Sequence, residues 1–293
     1  MTLEGRTIVV TGASSGIGEA GAVELVRRGA SVIPVGRDPE RLAGVAARIR
    51  DAGGRPVEPE RADFASLDDV RALARRLDKR CDRIDVLVNN AGLSTDRRVL
   101  SADGFELTFQ VNHLAPFLLT NLLLGRLRAS APARVVTTSS DEHKKGRIVL
   151  DDLQGEREWS TGQSYSDSKL ANVLFTRELA ARVPADEVVA NCFHPGATRT
   201  RIEGGRAGPP WVHTVARLFF RSPERGAETM VHLAEAPEAA QISGGYFADR
   251  RTASVAAAAE DVGLARELWS VSCALTGVGD GDGDGDGDGE RGS

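Results

Sequence analysis

The chain has 293 residues, 41% of them hydrophobic, enough for a substantial core in one large α/β domain or two small ones. Its formal charge of −5 resides in residues 280–293, with five Asp, one Glu and one Arg, so the remainder is neutral and nothing basic points to nucleic acid. Cys81, Cys192 and Cys273 are odd in number and lack CxxC spacing, supporting neither a disulfide framework nor a zinc site.

The first strand-like run, TIVV, follows so soon after Met1 that no signal-peptide pattern fits before it, and no run of about 18 apolar residues exists. The expectation is a cytoplasmic protein without stable membrane insertion. After TIVV come Gly12, Gly16 and Gly18, then a helix-period stretch over 16–28. Glycines between a strand and a helix let the backbone approach a pyrophosphate, while the helix N-terminus offers free N–H groups and a positive dipole end.

The second strand, SVIPV, ends at Gly36 and Arg37, with helix pattern over 38–52. A guanidinium there suits the 2′-phosphate of NADP(H) through bidentate hydrogen bonds. The alternative has Asp38 accepting from an NAD(H) ribose, although Asp38 before Pro39 also reads as a helix cap. NADP(H) is the preferred reading, with NAD(H) open.

Helix pattern then covers 66–80, DVLV reads as a strand, 103–129 as a long helix, RVVTT as a strand, 164–182 as a helix, VVANCF as a strand and 223–235 as a helix. The alternation argues for a parallel sheet covered on both faces, one unit through about residue 248. A last helical stretch spans 251–277, and the alternating Gly and Asp of 280–293 read as disordered. That tail fails as a calcium loop, since the twelfth position counted from Asp280 is Arg291 rather than Glu.

Within 164–182, Tyr165 and Lys169 stand at i, i+4 on one helix face. Only four lysines occur among 37 basic residues, and only Tyr165 and Tyr246 are tyrosine. Bringing a phenol from about 10 to near 7 requires roughly 4 kcal/mol, about what one charge 4 Å away supplies at a dielectric near 20. The pair is therefore energetically sufficient as a proton donor and acceptor, helped by the positively charged nicotinamide when the cofactor is oxidised. The five histidines show no HxH or HExxH spacing, so no metal is expected, and His194 reads as loop packing.

Thr11 with the GxxxGxG turn, Asp63, NNAG at 89–92, Asn112 in FQVNH, Ser140 ending VVTTSS, YxxxK at 165–169 and HPG at 194–196 together resemble the short-chain dehydrogenase/reductase family, over about residues 5–277. The stretches DDLQGE, SYSDSKLANVLF and ARELWSVSCALTG, with 24 residues between Ser140 and Tyr165, are similar to its retinol-dehydrogenase-like branch. The resemblance implies a single doubly wound Rossmann domain, residues 1–279, with a parallel sheet of about seven strands.

It further implies that Tyr165 is the general acid and base, that Lys169 holds the nicotinamide ribose, that Ser140 rather than Ser139 donates to the substrate oxygen, and that Asn112 holds a proton-relay water. Cofactor contacts would come from Gly12, Ser14, Ser15, Gly16, Ile17, Gly18, Arg37, Asp63, Phe64, Asn90, Ala91, Tyr165, Lys169, Pro195, Gly196, Thr198 and Thr200. The expected substrate is a small-molecule carbonyl compound or alcohol. Trp211, Val215, Leu218 and Phe219 could roof an apolar pocket or pack on the domain, while Arg199, Arg201, Arg206 and Arg217 would suit an anionic substrate. A non-catalytic NADP(H) sensor remains the alternative, although such proteins usually lose the Tyr or Lys. Homo-oligomerisation is open, and the lack of the N-terminal anchor of animal retinol dehydrogenases speaks against a membrane retinoid role.

Overall fold

The computed structural model describes residues 3–53, 58–196 and 222–279. Its strands are β1 (Thr7–Thr11), β2 (Ser31–Gly36), β3 (Glu60–Arg61), β4 (Val86–Asn89), β5 (Ala133–Thr138), β6 (Val188–His194), β7 (Tyr246–Ala248) and β8 (Arg251–Thr252). They form one sheet in the order β3-β2-β1-β4-β5-β6-β7-β8. All neighbours run parallel except β7 and β8, which pair antiparallel through Phe247 with Thr252 and Ala248 with Arg251.

The described helices are α1 (Gly16–Arg27), α2 (Pro39–Asp51), α3 (Leu67–Arg80), α4 (Leu107–Phe109), α5 (Ala115–Leu122), α6 (Leu124–Ala129), α7 (Thr161–Arg182), α8 (Pro223–Glu235) and α9 (Val262–Thr276). Strand side chains alternate between two cores because the pleat has a period of two. Ile8, Val10, Val86 and Val88 pack with Leu25, Val45 and Met230 of α1, α2 and α8. Val9, Leu87 and Val135 face the opposite side with Leu73, Phe117 and Phe175 of α3, α5 and α7. Such buried β-branched strands suit a parallel sheet covered on both faces.

Three expectations are corrected. The stretch 103–129 is not one helix: α4 passes into a π-helical turn at Gln110–Leu114, where the Ala115 N–H bonds Gln110 O, and α5 gives way to α6 at Leu123. Pro116 has no N–H to offer the carbonyl four residues back, that of Asn112, which favours a widened turn there. The stretch 251–277 is not one helix either, since it holds β8 and a short 3-10 turn before α9. His194 is the last residue of β6, not a loop residue.

Helix α9 closes the face formed by α5 and α7. Its Trp269 stacks on Phe175 at 5.9 Å and meets Phe117 edge-on at 4.9 Å. The Arg182 guanidinium lies 4.5 Å over the same indole. Among the described residues no helix is long and apolar enough to cross a membrane. Phe117 is fully buried at this junction, so Phe117→Ala should cost about 3–5 kcal/mol in denaturant unfolding; a cost below about 1 kcal/mol would contradict this packing.

Candidate active site

The chain leaves β1 toward β2 and β3, then returns to place β4 on the other flank of β1. This reversal opens a crevice at the carboxyl ends of β1 and β4, the usual ligand position in an open α/β sheet. A cavity of about 630 Å³ occupies it.

One wall is the turn from β1 to α1. Gly12 and Gly16 adopt φ of 64° and 59°, the left-handed region that favours glycine. A Cβ at Gly12 would stand 2.7 Å from the Ala91 Cα, and one at Gly18 would run into the Gly12 carbonyl oxygen. The N-cap of α1, Ser15, makes no side-chain capping bond, whereas α2, α3, α7, α8 and α9 are capped by Asp38, Ser66, Ser160, Ser222 and Asp261. Helix α1 thus presents amide donors and its positive end to the cavity, the chemistry a pyrophosphate needs.

The opposite wall is fixed by Thr11. Its hydroxyl donates to Val88 O at 3.1 Å and accepts from the Asn90 and Ala91 N–H groups at 2.9 and 3.0 Å. Asn90 Nδ2 donates to Thr11 O at 3.0 Å, and its Oδ1 accepts from the Thr138 hydroxyl at 3.3 Å. These bonds lock the ends of β1, β4 and β5 together.

At one end of the cavity Arg37, Asp38 and Arg41 line the wall beyond β2, and Asp63 and Phe64 follow β3. Asp38 accepts from the Glu40 and Arg41 N–H groups at 2.9 and 3.2 Å, so its side chain caps α2 as expected. Arg41 is absent from the sequence-based set. It sits on the first turn of α2 and reaches the same wall through the packing of that helix beside the end of β2, which no local sequence signal marks. Asp63 Oδ1 accepts from Ala65 N–H at 3.0 Å, closing a local turn.

At the other end Ser140, Tyr165 and Lys169 converge. Tyr165 is half-buried and lines the cavity with Ser140, whose hydroxyl accepts from the Glu142 N–H at 3.2 Å. Ser139 also lines the cavity, but its hydroxyl donates to Lys169 O at 2.8 Å. Lys169 is 3% exposed, and its Nζ donates to Thr138 O at 3.2 Å and stands 5.4 Å from the Tyr165 ring centroid. Burial pushes the ammonium down to about 8.

The Tyr165 phenol is pushed up, not down: burial acts most strongly, the Ser140 hydrogen bond opposes it, and the Glu142 carboxylate adds to it. In the cofactor-free protein Lys169 does not bring the phenol below its ordinary value. Desolvation penalises the phenolate and weakens the ammonium at the same time.

Asn112 does not line this cavity directly. Its Oδ1 accepts from Leu93 N–H at 2.8 Å, and its Nδ2 donates to Leu93 O and to the Ser168 hydroxyl, each at 2.9 Å. Ser168 in turn donates to Tyr165 O at 2.7 Å, a link that sequence reasoning missed because serine at a helix interior carries no contact signal. Pro195 and Gly196 line the cavity, as do Ser14, Ile17 and the glycines. Thr198, Thr200 and the proposed roof, Trp211, Val215, Leu218 and Phe219 with the arginines between 199 and 217, lie outside the described residues, as does the 280–293 tail.

The uncapped helix end, the glycine turn, the paired arginines and the Tyr-Lys end form one continuous cavity that fits a dinucleotide. Comparison with known proteins points the same way. The short chain dehydrogenase family model matches residues 6–207. A Streptomyces sp. (strain C5) protein named "Putative daunorubicin C-13 ketoreductase DnrU" is 46% identical over 276 residues, 94% of each chain. Retinol dehydrogenase 14 of Homo sapiens is 41% identical over 94% of this chain and 88% of its own. Among solved structures, the Pseudomonas aeruginosa RhlG/NADP active-site complex matches with a TM-score of 0.67 and 29% identity, over 84% of this chain and 95% of that one. With a doubly wound sheet and this cavity at its strand reversal, the chain belongs to the short-chain dehydrogenase family, as an oxidoreductase acting on CH–OH or carbonyl groups.

Proposed function

We propose that the protein interconverts a medium or large aldehyde or ketone and its alcohol with NADP(H), using Tyr165 as the general acid and base. The observation that carries this reading is the convergence of Ser140, Tyr165 and Lys169 at one end of the cavity whose other end is the phosphate cradle and Arg37. The curated relatives named as a ketoreductase and a retinol dehydrogenase support the carbonyl or alcohol substrate class, and the NADP complex of the Pseudomonas relative supports the cofactor.

When bound, the reduced nicotinamide supplies the hydride. Ser140 donates a hydrogen bond to the carbonyl oxygen, and Tyr165 gives it a proton as negative charge develops there. Burial keeps the phenol protonated at neutral pH, ready as the acid of the reductive direction. The phenolate left behind is attracted to the Lys169 ammonium, whose Nζ stands 5.4 Å from the centre of the Tyr165 ring. For oxidation the phenol must first ionise, which requires positive charge beyond that of Lys169.

The Asn112 side chain is fully engaged with Leu93 and Ser168, so a relay water would be held by its backbone carbonyl, which Pro116 leaves without the usual helical donor. Arg37 and Arg41 would grip the 2′-phosphate, and Asp63 the adenine. Arg37→Ala with Arg41→Ala should weaken NADPH binding between about tenfold and a hundredfold and leave NADH nearly unchanged. Equal loss for both cofactors would overturn the phosphate assignment.

A panel of aldehydes and ketones followed by NADPH absorbance tests the activity, with Tyr165→Phe in parallel. The expected outcome is turnover that Tyr165→Phe abolishes while NADPH binding persists. Complete inertness of the wild type with tight NADPH binding would favour a sensor instead. Lys169 adds a stability test. Its folded value of about 8 lies below the free-lysine value of 10.5, so between those pH values the unfolded chain binds the extra proton and the cofactor-free protein gains stability as pH rises. Lys169→Met should lose both that gain and turnover in unfolding and rate measurements at pH 8 and 10; a gain of the same size in the variant would contradict the buried ammonium.

A further inference from the structure

Ser140 is held in place by a side chain that the scheme above does not use. His143, fully buried, sets its ring Nδ1 2.6 Å from the Ser140 carbonyl oxygen, and its Nε2 lies 3.2 Å from the Ala256 backbone nitrogen. Both partners have fixed polarity, since a carbonyl only accepts and an amide N–H only donates. Nδ1 therefore carries the proton and Nε2 the lone pair, so the ring is neutral. Burial pushes the imidazole below its ordinary value, in keeping with that form.

The surrounding contacts come from distant parts of the chain. The His143 ring packs on Tyr246 of β7 at 4.6 Å, and the Tyr246 hydroxyl donates to Asp141 Oδ1 at 3.0 Å. Asp141 N–H donates to Nδ1 of His194, at the end of β6, at 3.2 Å. The residue directly after Ser140 is thereby anchored to two strands, while Ser140 O is anchored through His143 to the segment after β8.

We propose that His143 is a positioning residue for Ser140, tying its backbone to the 253–256 segment and so setting where its hydroxyl meets the substrate oxygen. The proposal rests on the role given to Ser140 above. A histidine serving packing alone would cost the same fraction of activity whether or not the Ser140 hydroxyl is present.

The test is a double-mutant cycle on kcat with wild type, His143→Phe, Ser140→Ala and the double variant, with NADPH affinity read by fluorescence titration. His143→Phe should lower kcat between about tenfold and a hundredfold, leave NADPH affinity within about twofold, and cost almost nothing more in the Ser140→Ala background. His143→Asn, whose amide can still donate toward Ser140 O, should recover part of the loss. Unchanged kcat in His143→Phe, or equal proportional losses in both backgrounds, would overturn the proposal. Ser140→Ala at the wild-type rate would instead sink the reading of Ser140, a distinguishable result.

If His143→Phe fails to fold, Ala256→Pro carries the same cycle, because Ala256 has φ of −66° and the change removes only the N–H that Nε2 accepts. Independently of activity, nitrogen NMR of the wild type should show His143 protonated at Nδ1, and protonation at Nε2 would contradict it.

Discussion

Lys169 carries a buried ammonium, 3% exposed and donating to the carbonyl of Thr138 at the end of β5. A buried charge is tolerated only where fixed dipoles replace water, and the site is arranged to provide them. The Thr138 carbonyl also accepts from Asn172 Nδ2 at 3.1 Å, and the Lys169 carbonyl accepts from Ser139. These bonds bind α7 to the tip of β5, and in doing so they bring Tyr165 beside Ser140. Stability is given up at Lys169 for a cation whose distance from the phenol is set before any ligand arrives.

The same economy governs the phosphate end. Five other helices close their N-termini with a serine or aspartate side chain, and α1 does not, so its amides remain available at the crevice. Gly12 and Gly18 permit contacts with Ala91 and Gly12 O that no side chain would allow, which lets Thr11 and Asn90 lock three strand ends behind the cradle. The glycine turn and the Ser140–Tyr165–Lys169 end of the cavity are thus joined by one set of bonds across the sheet reversal.

Much of this was legible in the amino-acid order because the relevant residues carry local signals. The strand–glycine–helix pattern, the i, i+4 Tyr165–Lys169 pair and the cap at Asp38 each depend on neighbours within one turn. Contacts that depend on tertiary approach were not legible. The π turn arises from Pro116 within an apolar helix pattern, β8 has two residues, and Arg41 becomes a cavity residue only once α2 leans on the end of β2. The phenol's upward shift in the cofactor-free protein was not legible either, because a pairwise charge argument omits desolvation, which depends on how deeply Tyr165 and Lys169 are set. His143 gave no signal because both of its ring partners are backbone groups, one of them 113 residues away.

Belonging to the family establishes an oxidoreductase of carbonyl or CH–OH groups, and the cavity supports NADP(H) and Tyr165 as the means. The most direct test of that account follows the transferred atom itself. NADPH deuterated at nicotinamide C4 would be supplied with a reducible ketone, and the alcohol product analysed by mass spectrometry and NMR. The account predicts deuterium at the former carbonyl carbon, delivered from one of the two C4 positions only, and a solvent-derived proton on oxygen. Product without deuterium from either labelled form would contradict direct hydride transfer in this site.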